Sequence, residues 1–90
     1  HLKRTQTVVR KGKEFWYREL DRMGLGYIPT QANFILVNVQ QNGTELFQKL
    51  LKQGVIIRDM KAYGLDNFVR ITIGTRRENK SCLEALKKSL

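Results

Sequence analysis

Phe68-Val69-Arg70-Ile71-Thr72-Ile73 decides the fold. Apolar and polar residues alternate through it, the signature of a half-buried strand. Val69, Ile71 and Ile73 share one face, and Phe68, Arg70 and Thr72 share the other. An all-aliphatic strand face must be covered, and the helical patterns on either side can cover it. Downstream, Thr75-Arg76-Arg77-Glu78 has the spacing of a capping box. The helix it opens presents Cys82, Leu83, Leu86 and Leu90 on one side. Upstream, residues 59–67 read as a loop containing Tyr63-Gly64, and Val55-Ile56-Ile57-Arg58 as a strand. Thr44 to Gln53 reads as a short helix with Leu46, Phe47, Leu50 and Leu51 on one face, closed by Gly54 and preceded by an Asn42-Gly43 turn. Asn33 to Val39 is a further strand, and Tyr27-Ile28-Pro29 is a short extended piece, since a proline pushes its predecessor out of the helical region.

The chain opens with helical spacing of Val8, Val9, Phe15, Trp16, Leu20 and Met23, with Gly24 as the stop. Gly12 within this run costs about 1 kcal/mol against alanine, which predicts fraying of the first turns. The order is helix, strand, helix, strand, strand, helix. This pattern predicts an α+β fold: a small sheet of three to four strands with helices packed on one face. Ninety residues make a single domain, 1–90, with a long lead-in helix over 1–24.

Seventeen Lys and Arg against eight Asp and Glu leave a net charge of +9. Such a charge fits a nucleic-acid binder, or one part of a larger and better balanced protein. The excess sits at the ends: residues 1–24 and 61–90 each carry seven basic and three acidic groups. No apolar run approaches the roughly 20 residues that cross a bilayer. The basic, polar start lacks the apolar segment of a signal peptide. One cysteine, Cys82, allows no intrachain disulfide, and no Cys/His cluster has zinc spacing. A reducing, cytoplasmic setting is expected.

No catalytic constellation is complete. His1 is terminal and reads as inert. Cys82 lies on an apolar helix stripe without a histidine partner and reads as a small buried hydrophobe. Gly24-Leu25-Gly26 neither follows a strand nor opens a helix, so it is no phosphate loop. The nine lysines fall mostly on solvated helix faces. Two strand arginines remain, Arg58 and Arg70. Each is either a surface arginine lying over apolar neighbours or a guanidinium fork aimed at a carboxylate or phosphate. Spacing alone favours the first for Arg58 and leaves Arg70 between the two.

Three blocks carry a resemblance: Pro29-Thr30-Gln31-Ala32-Asn33-Phe34-Ile35-Leu36-Val37, Gly54-Val55-Ile56-Ile57-Arg58-Asp59-Met60 with Tyr63-Gly64-Leu65, and Val69-Arg70-Ile71-Thr72-Ile73-Gly74-Thr75 with Glu78-Asn79. In this order and spacing the chain resembles the C-terminal small domain of histidinol-phosphate aminotransferases, fold-type I enzymes that use pyridoxal phosphate. The resemblance implies that Arg70 binds the substrate α-carboxylate and that Arg58 lies near the phosphate end. Asn33 could reach the site or cap the turn at Pro29, and Tyr63 could line the site or cover the core. It implies a transaminase of histidine biosynthesis, exchanging an amino group between an amino acid phosphate and 2-oxoglutarate or glutamate. It also implies a homodimer, with the cofactor-bearing lysine, the pyridinium-binding aspartate and the phosphate-binding loop in a large domain whose motifs are not in this chain. The chain then looks like about a quarter of an enzyme, inactive alone.

Two rival readings stand beside it. Threonine-phosphate decarboxylases and other aminotransferases resemble the same blocks. A basic nucleic-acid-binding α+β domain would explain the charge, but the strands lack exposed aromatic pairs for base stacking. A pure interaction module is a third possibility. Neither a specific nucleic acid, a membrane nor a metal is expected as a partner.

Overall fold

The structure is a computed structural model that describes residues 2–90, with side chains from Gln6 onward. His1, read above as inert, lies outside the described residues. Helix α1 (Leu2–Met23) leads into strands β1 (Tyr27–Ile28) and β2 (Phe34–Asn38). Helix α2 (Gly43–Lys52) follows, then strand β3 (Arg58–Met60), a 3-10 turn over Lys61–Tyr63, strand β4 (Leu65–Thr72) and helix α3 (Arg76–Ser89). The strands form one antiparallel sheet in the order β1-β2-β4-β3. The fold is α+β, as the alternation around Arg70 predicts.

The core lies between one face of this sheet and the helices. Val69 and Ile71 of β4 and Ile35 and Val37 of β2 are buried there, with Ile73 just past the strand end. Trp16 and Leu20 of α1, Leu46 and Leu50 of α2, and Leu83 and Leu86 of α3 meet them. Burying side chains of this size contributes about 1.5–3 kcal/mol each. The anticipated helix faces include members that stay outside: Val8, Leu51 and Leu90 are exposed. Gly24 does stop α1, at φ 72°, and the Leu25 amide bonds back to the Leu20 carbonyl at 3.1 Å.

Residues 55–67 differ from the expectation. Val55-Ile56-Ile57 is not a strand; pairing begins only at Arg58, which starts β3 rather than ending a strand. The Val55 amide is held by the Leu50 carbonyl at the end of α2 (2.9 Å), so this apolar segment is an arm leaving the helix. Ile57 plugs the core at 1% exposure while Ile56 stays in solvent. The 59–67 loop is a tight connection between paired strands, because β4 begins at Leu65. Asp59 pairs with Val69 and Met60 with Leu65, so residues 66–68 bulge out of the β3–β4 pairing, while Phe68 stays paired with Asn38 of β2. Gly43 packs against this bulge: a Cβ there would lie 2.6 Å from the Phe68 carbonyl oxygen. The preceding Asn42 caps α2, accepting from the Glu45 amide at 2.9 Å.

Gly12 is also not the weak point that propensity implies. Helix α1 runs through it, and Gly12 is buried where α1 crosses the turn between β4 and α3. A Cβ at Gly12 would press on the Ile73 side chain and lie 2.9 Å from Asn79 Nδ2. Asn79, 3% exposed, grips Gly74 at both ends: its Oδ1 accepts from the Gly74 amide (2.9 Å) and its Nδ2 donates to the Gly74 carbonyl (3.1 Å).

The capping box at the head of α3 is present as the sequence predicts. Thr75 Oγ1 accepts from the Glu78 amide and Glu78 Oε1 accepts from the Thr75 amide. These bonds hold the Glu78 carboxyl below its usual value. A carboxyl so lowered stabilises the fold fully above its unfolded pKa, and that contribution is lost as pH falls through the lower folded value. Glu78→Gln should therefore lose less Tm than the parent chain between about pH 6 and about pH 3. Equal losses in the two melting series would show that the box does not contribute.

Candidate functional site

The sheet face turned away from the helices carries the two arginines singled out by the sequence, and it brings them together. Antiparallel pairing sets Arg70 directly opposite Leu36 of β2 on one side and Arg58 of β3 on the other. Directly opposed residues share a face, with Cα atoms about 4.5–5.5 Å apart. Ile28, Leu36, Arg70 and Arg58 thus form one row across the sheet.

Like charges in opposed positions destabilise a sheet unless something neutralises them. Among the described residues, no carboxylate forms an ion pair with either arginine. The acid beside Arg58 is turned to the helix side, where Asp59 Oδ2 accepts from the Thr44 hydroxyl at 3.0 Å. Arg58 lies exposed on the edge strand, the place where a merely protective charge would also sit. Arg70 is half-buried in the interior of the sheet, and its Nε is enclosed without a hydrogen-bond partner. Its Cζ stands 5.3 Å from the centroid of the Phe34 ring. The combination is a paired, uncompensated cationic floor suited to a carboxylate or a phosphate.

The other two candidates do not join this row. Asn33 lies just before β2, where its carbonyl accepts from the Ile73 amide at 2.7 Å. Its surroundings are those of α1: it lines a cleft of about 480 Å³ with Arg10, Lys13 and Tyr17. Tyr63 is 75% exposed in the turn after β3. A second cleft, of about 410 Å³, runs between α1 and the start of α3, past Lys11, Gly12 and Arg76. Neither cleft is lined by Arg58 or Arg70. Cys82 is no rival nucleophile, because burial pushes its thiol up to about 11.

Phe34 and Asn79 escaped the reading of the sequence. Phe34 could have been placed on the Arg70 face only with the β2–β4 register in hand. The carboxamide of Asn79 falls three residues after Arg76, within the first turns of a helix whose apolar stripe drew attention elsewhere.

The floor and the fold together point to a class of protein. The sequence pattern of the family described as aminotransferase class I and II matches residues 1–86, and the chain belongs to that family. Within it, the chain is similar to curated proteins named histidinol-phosphate aminotransferase. That of Moorella thermoacetica is 42% identical over the whole chain, and that of Akkermansia muciniphila 44%. The crystal structure of the histidinol-phosphate aminotransferase from Clostridium acetobutylicum superposes on 96% of the chain with a TM-score of 0.84 at 30% identity, covering 27% of that structure. The chain spans about a quarter of the length of these relatives: 23% of the first and 24% of the second. Family membership displaces the nucleic-acid reading of the +9 charge.

The family implies pyridoxal phosphate, and the described residues do not build a seat for it. Its aldehyde needs a sheltered lysine, yet no described lysine is buried. Lys13, the one half-buried lysine among them, donates to the Thr30 carbonyl at 2.5 Å. Its phosphate needs backbone amides opening a helix. The glycines at positive φ, Gly24, Gly54 and Gly64, instead follow the ends of helical segments.

Proposed function

We propose that the chain is the C-terminal small domain of a histidinol-phosphate transaminase. The whole enzyme converts L-histidinol phosphate and 2-oxoglutarate to imidazole acetol phosphate and L-glutamate, a step of histidine biosynthesis. The domain supplies the substrate's anionic grip, while pyridoxal phosphate and the lysine that carries it belong to the rest of the enzyme. Both anions are then served by one floor. Glutamate and 2-oxoglutarate present carboxylates, and histidinol phosphate presents a phosphate monoester. Arg70 holds the α-carboxylate of glutamate or 2-oxoglutarate through its planar fork and takes the phosphate of histidinol phosphate, which has no carboxylate, while Arg58 adds the second charge that a dianionic phosphate needs. Mounting both on strands fixes their direction more tightly than loops would. The enzyme is read as a homodimer, as the family resemblance implies, in the cytoplasmic setting expected above.

The opposed, uncompensated pair Arg58–Arg70 is the observation that carries this reading. Amino transfer from L-histidinol phosphate to 2-oxoglutarate by the full-length enzyme tests it, with the 90-residue chain alone transferring none. Release of carbon dioxide from threonine phosphate would favour the decarboxylase reading instead. Arg58→Ala in the full-length enzyme should lower kcat/KM about tenfold to a hundredfold for the phosphorylated donor, by loss of charge-assisted hydrogen bonds. It should cost unphosphorylated analogues far less. An equal loss for both would assign Arg58 a general role and not the phosphate.

A further inference from the structure

An arginine that must hold an incoming anion cannot be held by a resident one. A carboxylate beside Arg70 would orient the guanidinium and would also compete for it. The structure solves this with an aromatic ring. Phe34 pairs across the sheet with Thr72, which sets it diagonally beside Arg70 on the same face, within reach of a long side chain. Its ring centroid lies 5.3 Å from Arg70 Cζ, inside the roughly 6 Å range of a cation over an aromatic face. A ring attracts the cation but offers no lone pair, so every donor the guanidinium has left stays free for a ligand.

The backbone that carries the ring is itself held. The Thr30 hydroxyl donates to the Phe34 carbonyl, and the Ile73 amide bonds to the carbonyl of neighbouring Asn33 at 2.7 Å. Phe34 is half-buried, so its rotation is limited by packing. The enclosed Nε shows the cost accepted for this placement: a donor has given up water and received no acceptor. With Nε enclosed, the terminal nitrogens form the edge that meets the ligand.

We propose that Phe34 is a positioning residue for Arg70: its ring face fixes the plane of the guanidinium so that the terminal edge is presented to the substrate anion. This rests on the reading of Arg70 as the substrate grip. The effect belongs to binding, because the ring acts through the guanidinium it faces.

The test is steady-state kinetics in the full-length enzyme on Phe34→Leu, Phe34→Met and Phe34→Tyr, each alone and combined with Arg70→Lys, with Tm recorded for every variant. Leu and Met keep an apolar bulk without a π face, and either one suffices if the other fails to fold. Both should raise KM for 2-oxoglutarate and for the amino donor about 3- to 30-fold, the range a cation over a ring is worth. Their kcat should change less than about twofold. Phe34→Tyr should restore KM, and in the Arg70→Lys background the loss on Phe34→Leu should shrink, because the coupled partner is already gone. If Arg70→Lys alone is near normal, the reading of Arg70 falls and this proposal falls with it. If Arg70→Lys is impaired but Phe34→Leu leaves KM unchanged, or Tyr fails to rescue, or the two losses simply multiply, the proposal is overturned while the grip stands. A lower Tm with unchanged KM likewise makes Phe34 structural only.

Discussion

Arg70→Lys in the full-length enzyme should lower kcat/KM by about 30-fold to several-thousand-fold, a loss of about 2–5 kcal/mol of transition-state stabilisation. Lysine keeps the positive charge but gives up the planar fork, so two parallel hydrogen bonds to a carboxylate become one adjustable contact. The loss should be large because the arginine's direction is set before substrate arrives: Val69 and Ile71 anchor the strand from the opposite face, and Phe34 lies beside the guanidinium. The fold should survive, since Arg70 stands on the face without helices. Kinetics, with circular dichroism and Tm as controls, check this. A folded variant of near-normal efficiency would refute the role, and a variant that cannot fold would make Arg70 a structural residue.

Gly12→Ala should destabilise the domain, although alanine is the better helix former by about 1 kcal/mol. The added methyl must displace Ile73 or Asn79, and neither is free to yield: both are buried, and the Asn79 amide is bonded to Gly74 at both ends. Overpacking of this kind costs about 1–3 kcal/mol, and straining the Asn79 bonds adds to it. The net expectation is a loss of about 1–3 kcal/mol, or a fall in Tm of about 5–20 °C for a domain of this size. Thermal melting followed by circular dichroism decides it. A rise in Tm would mean that helix propensity, not the crossing with the β4–α3 turn, governs this position.

What could be read from the sequence was what depends on near neighbours. The alternation of Val69, Ile71 and Ile73 gave the buried face, Thr75 and Glu78 gave the start of α3, and Gly24 gave the end of α1. Arg70 could be placed on the open face for the same reason. What escaped depends on partners far along the chain. Ile56 and Ile57 have the branched side chains of a strand, but β3 pairs only from Arg58, after an arm tied to Leu50. The opposition of Arg58 and Arg70 follows from a register that includes the 66–68 bulge, which no local pattern announces. Gly12 carried a propensity penalty in isolation and a packing requirement in context.

The strand order β1-β2-β4-β3 has a consequence for how the chain reaches this state. Strand β2 meets β1 through a short connection, with Ile28 opposite Leu36, but it meets β4 across a far longer one, with Phe34 opposite Thr72. On a ribosome, β2 therefore emerges long before the strand that completes its ladder. During that wait Phe34-Ile35-Leu36-Val37, an apolar run without charge or proline, has one edge bare, the kind of segment that recruits like strands from other chains. Loop closure on this scale slows the search, so synthesis that stalls before Leu65 should leave a nascent chain that clumps instead of folding, and release of the β4 segment should be the event that commits it to the native sheet.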